Sequence, residues 1–202
     1  MAKSIDVADL NIYYGDFLAV EGVTIPIAAR SVTAFIGPSG CGKSTFLRSL
    51  NRMHEVIRGA RVEGKVLIDG QDLRSFNPVD YRRCLGYVPQ EPFLFTGTVR
   101  DNVTYGRPEA TDDEVVEVCR QVGLADWVET QPDGYDTAIA ERGRSLSAGQ
   151  RQLVCLARAL LVDPAVLLLD EATSSLDLAA EAVVTRAIDV VARGRTSILI
   201  AH

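Results

Sequence analysis

The chain has no long hydrophobic run, few cysteines and histidines, and no surplus of positive charge. Its longest apolar candidate, Ala165 to Leu169, is broken at once by Asp170 and Glu171, far short of the roughly 20 residues a membrane-spanning helix needs. The opening residues MAKSIDVADL contain no apolar signal region, so the expectation is a chain that is not exported. Cys41, Cys84, Cys119 and Cys155 are scattered with no CxxC pair, and there are only two histidines. That pattern argues for reduced thiols rather than a disulfide frame or a zinc site. A net charge of −6 argues against a general nucleic-acid binder, which would show a basic face. Internal repeats and low-complexity tracts are also lacking.

What is present is the make-up of one globular domain. Its 202 residues, 47% hydrophobic and 24% charged, can bury a substantial core. IDVADLNIYY, AVEGVTIPI, SVTAFIG and VEGKVLIDG read as strands. KSTFLRSLNRM has helical spacing, with Phe46, Leu47, Leu50 and Met53 on one face. DYRRCLGYVPQ predicts a short helix and then a strand ending before Pro89. Thr111 to about Val162 reads as mostly helical with a break at QPDGYDT. The chain closes with a strand (Val166 to Leu169), a helix (Leu178 to Ala192) and a strand (Thr196 to Ile200). Strands alternating with helices imply an α/β fold with a largely parallel sheet, and the helical block looks like an insertion into it.

Gly37 to Thr45, GPSGCGKST, follows a strand and opens a helix, the context in which G-x-x-x-x-G-K-[ST] carries a mechanism. Its glycines let backbone N–H groups converge on phosphate oxygens, Lys43 can reach the β- and γ-phosphates, and the Ser44 hydroxyl can ligate Mg²⁺. In AVLLLDEATSSLD, four apolar residues drive a buried strand that delivers Asp170 to its C-terminal end, where open α/β sheets bind ligands. Asp170 can hold Mg²⁺ directly or through water, and Glu171 can deprotonate an attacking water. A third motif, RSLSAGQRQLVCLARALL, starts as a capping box with Ser147 at the cap and Gln150 three residues on. Leu153, Leu156, Ala157, Leu160 and Leu161 give its helix an apolar stripe. Ser147, Gly149 and the helix dipole offer a second phosphate-binding end, so two chains would meet around one nucleotide if the two ends cannot meet within one.

In order, these motifs resemble those of ATP-binding-cassette (ABC) ATPases. Gly37, Pro38, Ser39, Gly40, Cys41, Gly42, Lys43, Ser44 and Thr45 look like the Walker A loop, and Leu146 to Gln150 like the signature, with Ala148 replacing the commoner glycine. Asp170 and Glu171 look like Walker B and the catalytic glutamate, and Ser174 to Asp177 like the D-loop. Gln90 looks like the Q-loop glutamine that contacts Mg²⁺ and senses the membrane partner. Tyr14 matches the aromatic placed under the adenine, and His202 the switch histidine that hydrogen-bonds the γ-phosphate.

The resemblance implies a P-loop core over residues 1–202, an N-terminal antiparallel β subdomain and a helical subdomain at about 91–162. It also implies that family members continue beyond His202, so the expectation is a C-terminally truncated domain. The implied activity is Mg²⁺-dependent ATP hydrolysis by a head-to-tail dimer that powers transport through a transmembrane partner. Asp177 joins the nucleotide-contacting set, and the implied location is the cytoplasmic face of the cell membrane.

Two parts of the chain resemble different branches of the family. Through about Asp72 it looks most like the ATPase subunit of bacterial phosphate importers. From about Phe76, LGYVPQEPFLFTGTVRDNVTYG and YDTAIAERGRSLSAGQRQ look like an exporter, with Glu141-Arg142-Gly143 resembling the loop that touches the coupling helices. The expectation is a hybrid joined near Leu73 to Phe76. Two other readings stay open on sequence grounds: a truncated or hybrid domain that binds nucleotide but is impaired in hydrolysis, and a soluble cassette ATPase outside transport. The acidic balance counts against the second.

Overall fold

The computed structural model describes residues 1–174 and 176–201. Ser175 and His202, the latter a proposed switch residue, lie outside the described residues.

The N-terminal strands make an antiparallel sheet. β1 (Ile5–Tyr14) pairs with β2 (Phe17–Ile27) on one side and β4 (Ala60–Ile68) on the other, and the short β5 (Gln71–Asp72) extends β4. The β1–β4 ladder slips between Ala8 and Asn11, where Asp9 has φ +48°. Gly64 faces this bulge with φ +87°, and a Cβ there would lie 2.1 Å from the Asp9 carbonyl oxygen, so only glycine fits.

The second sheet is parallel, with β3 (Val32–Ile36), β10 (Thr196–Ala201), β9 (Val166–Asp170) and β6 (Leu85–Val88) in that spatial order. All five residues of β9 are buried, which explains its unbroken apolar run in place of alternation. Val166 and Leu168 pack with Phe46, Leu47 and Leu50 of α1 (Lys43–Leu50) and with the antiparallel sheet. Leu167 and Leu169 belong to the opposite core. That core holds α3 (Val99–Thr104), α4 (Asp112–Gln121), α5 (Ala125–Glu129), α6 (Ala148–Val162) and α7 (Leu178–Ala192).

The short helix α2 (Pro78–Arg83) begins with Pro at its first position and the Asn77 side chain capping Val79 and Asp80. It is tied to the end of α1 by the Tyr81 hydroxyl, which donates to the Leu50 carbonyl at 2.8 Å.

The structure corrects the sequence reading in two places. Helix α1 ends at Leu50; Asn51 caps it and Arg52 has φ +59°, so Met53 leaves the apolar face and is 41% exposed. The helical block starts earlier than Thr111, with α3 held by a Thr98–Asp101 capping box. The break at QPDGYDT leads into a two-stranded ladder, β7 (Gly97–Thr98) with β8 (Ala138–Ile139).

Candidate functional site

Three connections leave the C-terminal edge of the parallel sheet, and the candidate residues sit on them. The loop after β3 turns into α1 through Gly40 (φ +80°) and Gly42 (φ +95°). A Cβ on Gly42 would lie 2.8 Å from Val20 Cγ2, so the loop lies tightly against β2. Gly42 is the N-cap of α1 and no side chain accepts from the first turn, which leaves its N–H donors for an anion. Lys43 folds back over the loop, its Nζ donating to the carbonyls of Gly37 (2.7 Å) and Pro38 (2.9 Å), with Cys41 Sγ at 3.7 Å. Ser39, Gly40 and Cys41 are exposed, and Thr45 is half-buried in the first turn of α1.

The strand β9 places Asp170 at the sheet edge, 4% exposed, where the Ser44 hydroxyl donates to its Oδ1 at 2.9 Å. Glu171 follows with φ +48°, a left-handed conformation costly for a residue with a Cβ. Gln90, just past β6, donates from Nε2 to Glu171 Oε2 at 2.5 Å and lies 3.5 Å from Ser174 Oγ. The structure therefore brings Lys43, Ser44, Asp170, Glu171 and Gln90 together from three separate segments.

The hydroxyl of Ser44 and the carboxylate of Asp170 form an oxygen-donor pair of the kind that Mg²⁺ takes when phosphates and water supply its remaining ligands. No group of three or more His, Cys, Asp or Glu side chains that could cage a metal occurs among the described residues. The donor set thus fits Mg²⁺ carried by a phosphate substrate.

The capping box at the start of α6 is present as the sequence pattern predicts. Ser147 caps α6: its Oγ accepts from Gln150 N (3.2 Å) and Gln150 Oε1 accepts from Ser147 N (2.8 Å). Gly149 is buried, and a Cβ there would meet Ala180 Cβ of α7 at 2.9 Å. Asp177 caps α7, accepting from Ala180 N at 2.8 Å. Among the described residues no hydrogen bond joins Ser147 or Gly149 to the loop at 37–45. Tyr14 ends β1, half-buried, with an enclosed hydroxyl that has no hydrogen-bond partner among the described residues.

Two side chains near Asp170 were missed in the sequence reading. The Tyr87 hydroxyl on β6 faces the Asp170 carboxylate and the Arg48 guanidinium, and burial followed by the Asp170 charge holds the phenol above its ordinary pKa. Their sequence signal is only positional: Tyr87 stands three residues before Gln90, and Arg48 one helical turn after Ser44.

Known proteins similar to this chain come from one family. Residues 20–174 match the family described as ABC transporter. The chain is 51% identical over 175 residues to a phosphate import ATP-binding protein PstB of Mycolicibacterium smegmatis, covering 82% of this chain and 66% of that protein. It is 48% identical over 212 residues to the PstB of Leifsonia xyli, covering 100% of this chain and 80% of the relative. A solved bacterial Atm1-family ABC exporter with ATP bound superposes with a TM-score of 0.89 at 39% identity, covering 100% of this chain and 34% of the exporter chain. Both the Leifsonia phosphate import protein and the exporter align on both sides of residues Leu73 to Phe76, where a junction was expected.

Proposed function

The chain belongs to the ABC transporter family as an ATP-binding domain, and from that premise we propose that it hydrolyses ATP with Mg²⁺ as a head-to-tail dimer that powers transport through a membrane partner. The observation that carries the proposal is the 2.9 Å bond from Ser44 to Asp170, which joins the phosphate loop to the acidic strand end beside Glu171. That arrangement suits in-line attack of water on a bound γ-phosphate.

In this reading the backbone N–H groups of residues 37–45 bind the phosphates, and Lys43 moves from the Gly37 and Pro38 carbonyls onto the β- and γ-phosphate oxygens. Ser44, Asp170 and Gln90 would hold Mg²⁺, which when bound neutralises charge developing on the transferred phosphoryl group. Glu171 accepts a proton from the attacking water, and Gln90, already bonded to that carboxylate, sets its direction. Tyr14 stacks under the adenine and His202 hydrogen-bonds the γ-phosphate. Ser147 and Gly149 of a second copy close over the phosphate, with Asp177 alongside.

An exposed aromatic cluster supports docking of a partner at the membrane's cytoplasmic face. Phe93 is 50% and Tyr105 59% exposed; Phe95 stacks on Tyr105 at 4.3 Å and meets Phe93 edge-on at 5.1 Å. No helix among the described residues is long and apolar enough to cross a membrane. Importer and exporter relatives both align along the chain, so the proposal covers the ATP-driven step and assigns no cargo or direction.

Calorimetric titration with ATP and Mg²⁺ tests the nucleotide site. The proposal expects saturable binding by the parent chain that weakens more than tenfold in Lys43→Ala. Equal affinity in the two proteins would contradict it.

A further inference from the structure

Strand register puts a tyrosine on the same sheet face as the proposed metal-holding acid. In the parallel pair of β6 and β9, Tyr87 is aligned with Leu168 and Val88 with Leu169. Side chains alternate along a strand, so Asp170, two residues past Leu168, shares the face that Leu168 and Tyr87 occupy. Leu168 packs with Phe46, Leu47 and Leu50, so this face is the one covered by α1. On α1, Arg48 lies four residues after Ser44, the spacing that puts two side chains on one side of a helix. Ser44 already donates to Asp170 Oδ1 at 2.9 Å.

We propose that Tyr87 is a positioning residue for Asp170: its side chain, on the same α1-covered sheet face as the Asp170 carboxylate, steers that carboxylate toward the geometry in which it takes up Mg²⁺. Tyr87 itself touches neither nucleotide nor metal. The hydroxyl faces both charged groups. The ring is 37% exposed, so its oxygen can be removed with little disturbance to the core. Arg48, one turn beyond Ser44, supplies a positive charge that also acts on the phenol. Mg²⁺ demands near-ideal octahedral geometry, so the direction of each carboxylate ligand matters more to it than to larger cations.

This inference rests on the nucleotide-site reading, and the experiment separates the two. The affinity of a non-hydrolysable ATP analogue is measured by calorimetry in EDTA and in saturating Mg²⁺, for the parent and for Tyr87→Phe. The ratio of the two affinities reports how strongly metal and nucleotide assist each other.

Tyr87→Phe is expected to leave the EDTA affinity unchanged and to lower the ratio about three- to tenfold, the size expected from losing one interaction with an ionised group at a half-exposed site. An unchanged ratio overturns the proposal. So does an equal loss with and without Mg²⁺, which would mark the hydroxyl as merely structural. If the parent itself shows no tightening with Mg²⁺, the nucleotide-site reading fails and the positioning role falls with it.

Discussion

The Ser44 hydroxyl donates to Asp170 Oδ1 at 2.9 Å, joining the start of α1 to the end of β9 across 126 residues of sequence. Asp170 is 4% exposed, so the bond satisfies an acid that water scarcely reaches. Ser44→Ala removes the donor, and leaving a buried acceptor unsatisfied costs about 1–3 kcal/mol. The variant should unfold at lower urea than the parent and lose the extra stabilisation that Mg²⁺ adds to ATP. An unchanged urea midpoint would show that water replaces the serine.

Ser147 caps α6, and the cap can be measured separately from its proposed place at the dimer interface. As N-cap of α6 it accepts from Gln150 N, and replacing such a cap with Ala costs roughly 1 kcal/mol. Chemical denaturation of Ser147→Ala should show that loss without nucleotide. The same variant should form less of the ATP-bound dimer than a Ser147→Asn control that keeps a cap. Parental dimer formation by Ser147→Ala would remove the serine from the proposed interface.

Gly149 is fixed by packing. A methyl group there would approach Ala180 Cβ to 2.9 Å, and such overpacking typically costs about 1–3 kcal/mol. Gly149→Ala should therefore lower the thermal midpoint, and Gly149→Ala with Ala180→Gly should recover much of it. Failure of the double variant to recover would place the strain elsewhere.

Acid sensitivity is written into a half-exposed pair at the end of β5. Arg74 donates to Asp72 from Nε (3.1 Å) and Nη2 (2.7 Å), and with the Arg74 backbone N–H it holds the Asp72 carboxyl at about 2, below the ordinary 3.8. The folded state thus binds this proton less readily than the unfolded chain. The stabilisation is present above about pH 4 and is lost as the pH falls toward 2. Urea unfolding across that window should show a shallower acid-side decline for Asp72→Asn than for the parent. Identical slopes would contradict the assignment.

Where chemistry is local, the sequence was enough to locate these features. Leu178–Ala192 is helical over the residues its pattern predicted, and the capping box at Ser147 is present with both hydrogen bonds. The buried strand before Asp170 could be read because burial on both faces leaves an unbroken apolar run. What the sequence hid depends on distant partners. The β7–β8 ladder pairs Gly97 with Ile139, and neither two-residue strand carries a pattern of its own. The early end of α1 turns on a left-handed Arg52, whose guanidinium donates to the Phe76 carbonyl at 2.8 Å. At the site, the loop and acid motifs were legible, but that Tyr87 shares a sheet face with Asp170 follows from strand register, which the sequence does not show.

ATP turnover measured against protein concentration with Mg²⁺, in the parent and in Glu171→Gln, tests the central claim most directly. A dimerising ATPase with Glu171 as general base should show a rate per chain that rises with concentration and falls about 10²–10⁴-fold in the variant, while ATP binding persists. A rate per chain that is independent of concentration, or parental turnover by Glu171→Gln, would contradict the account.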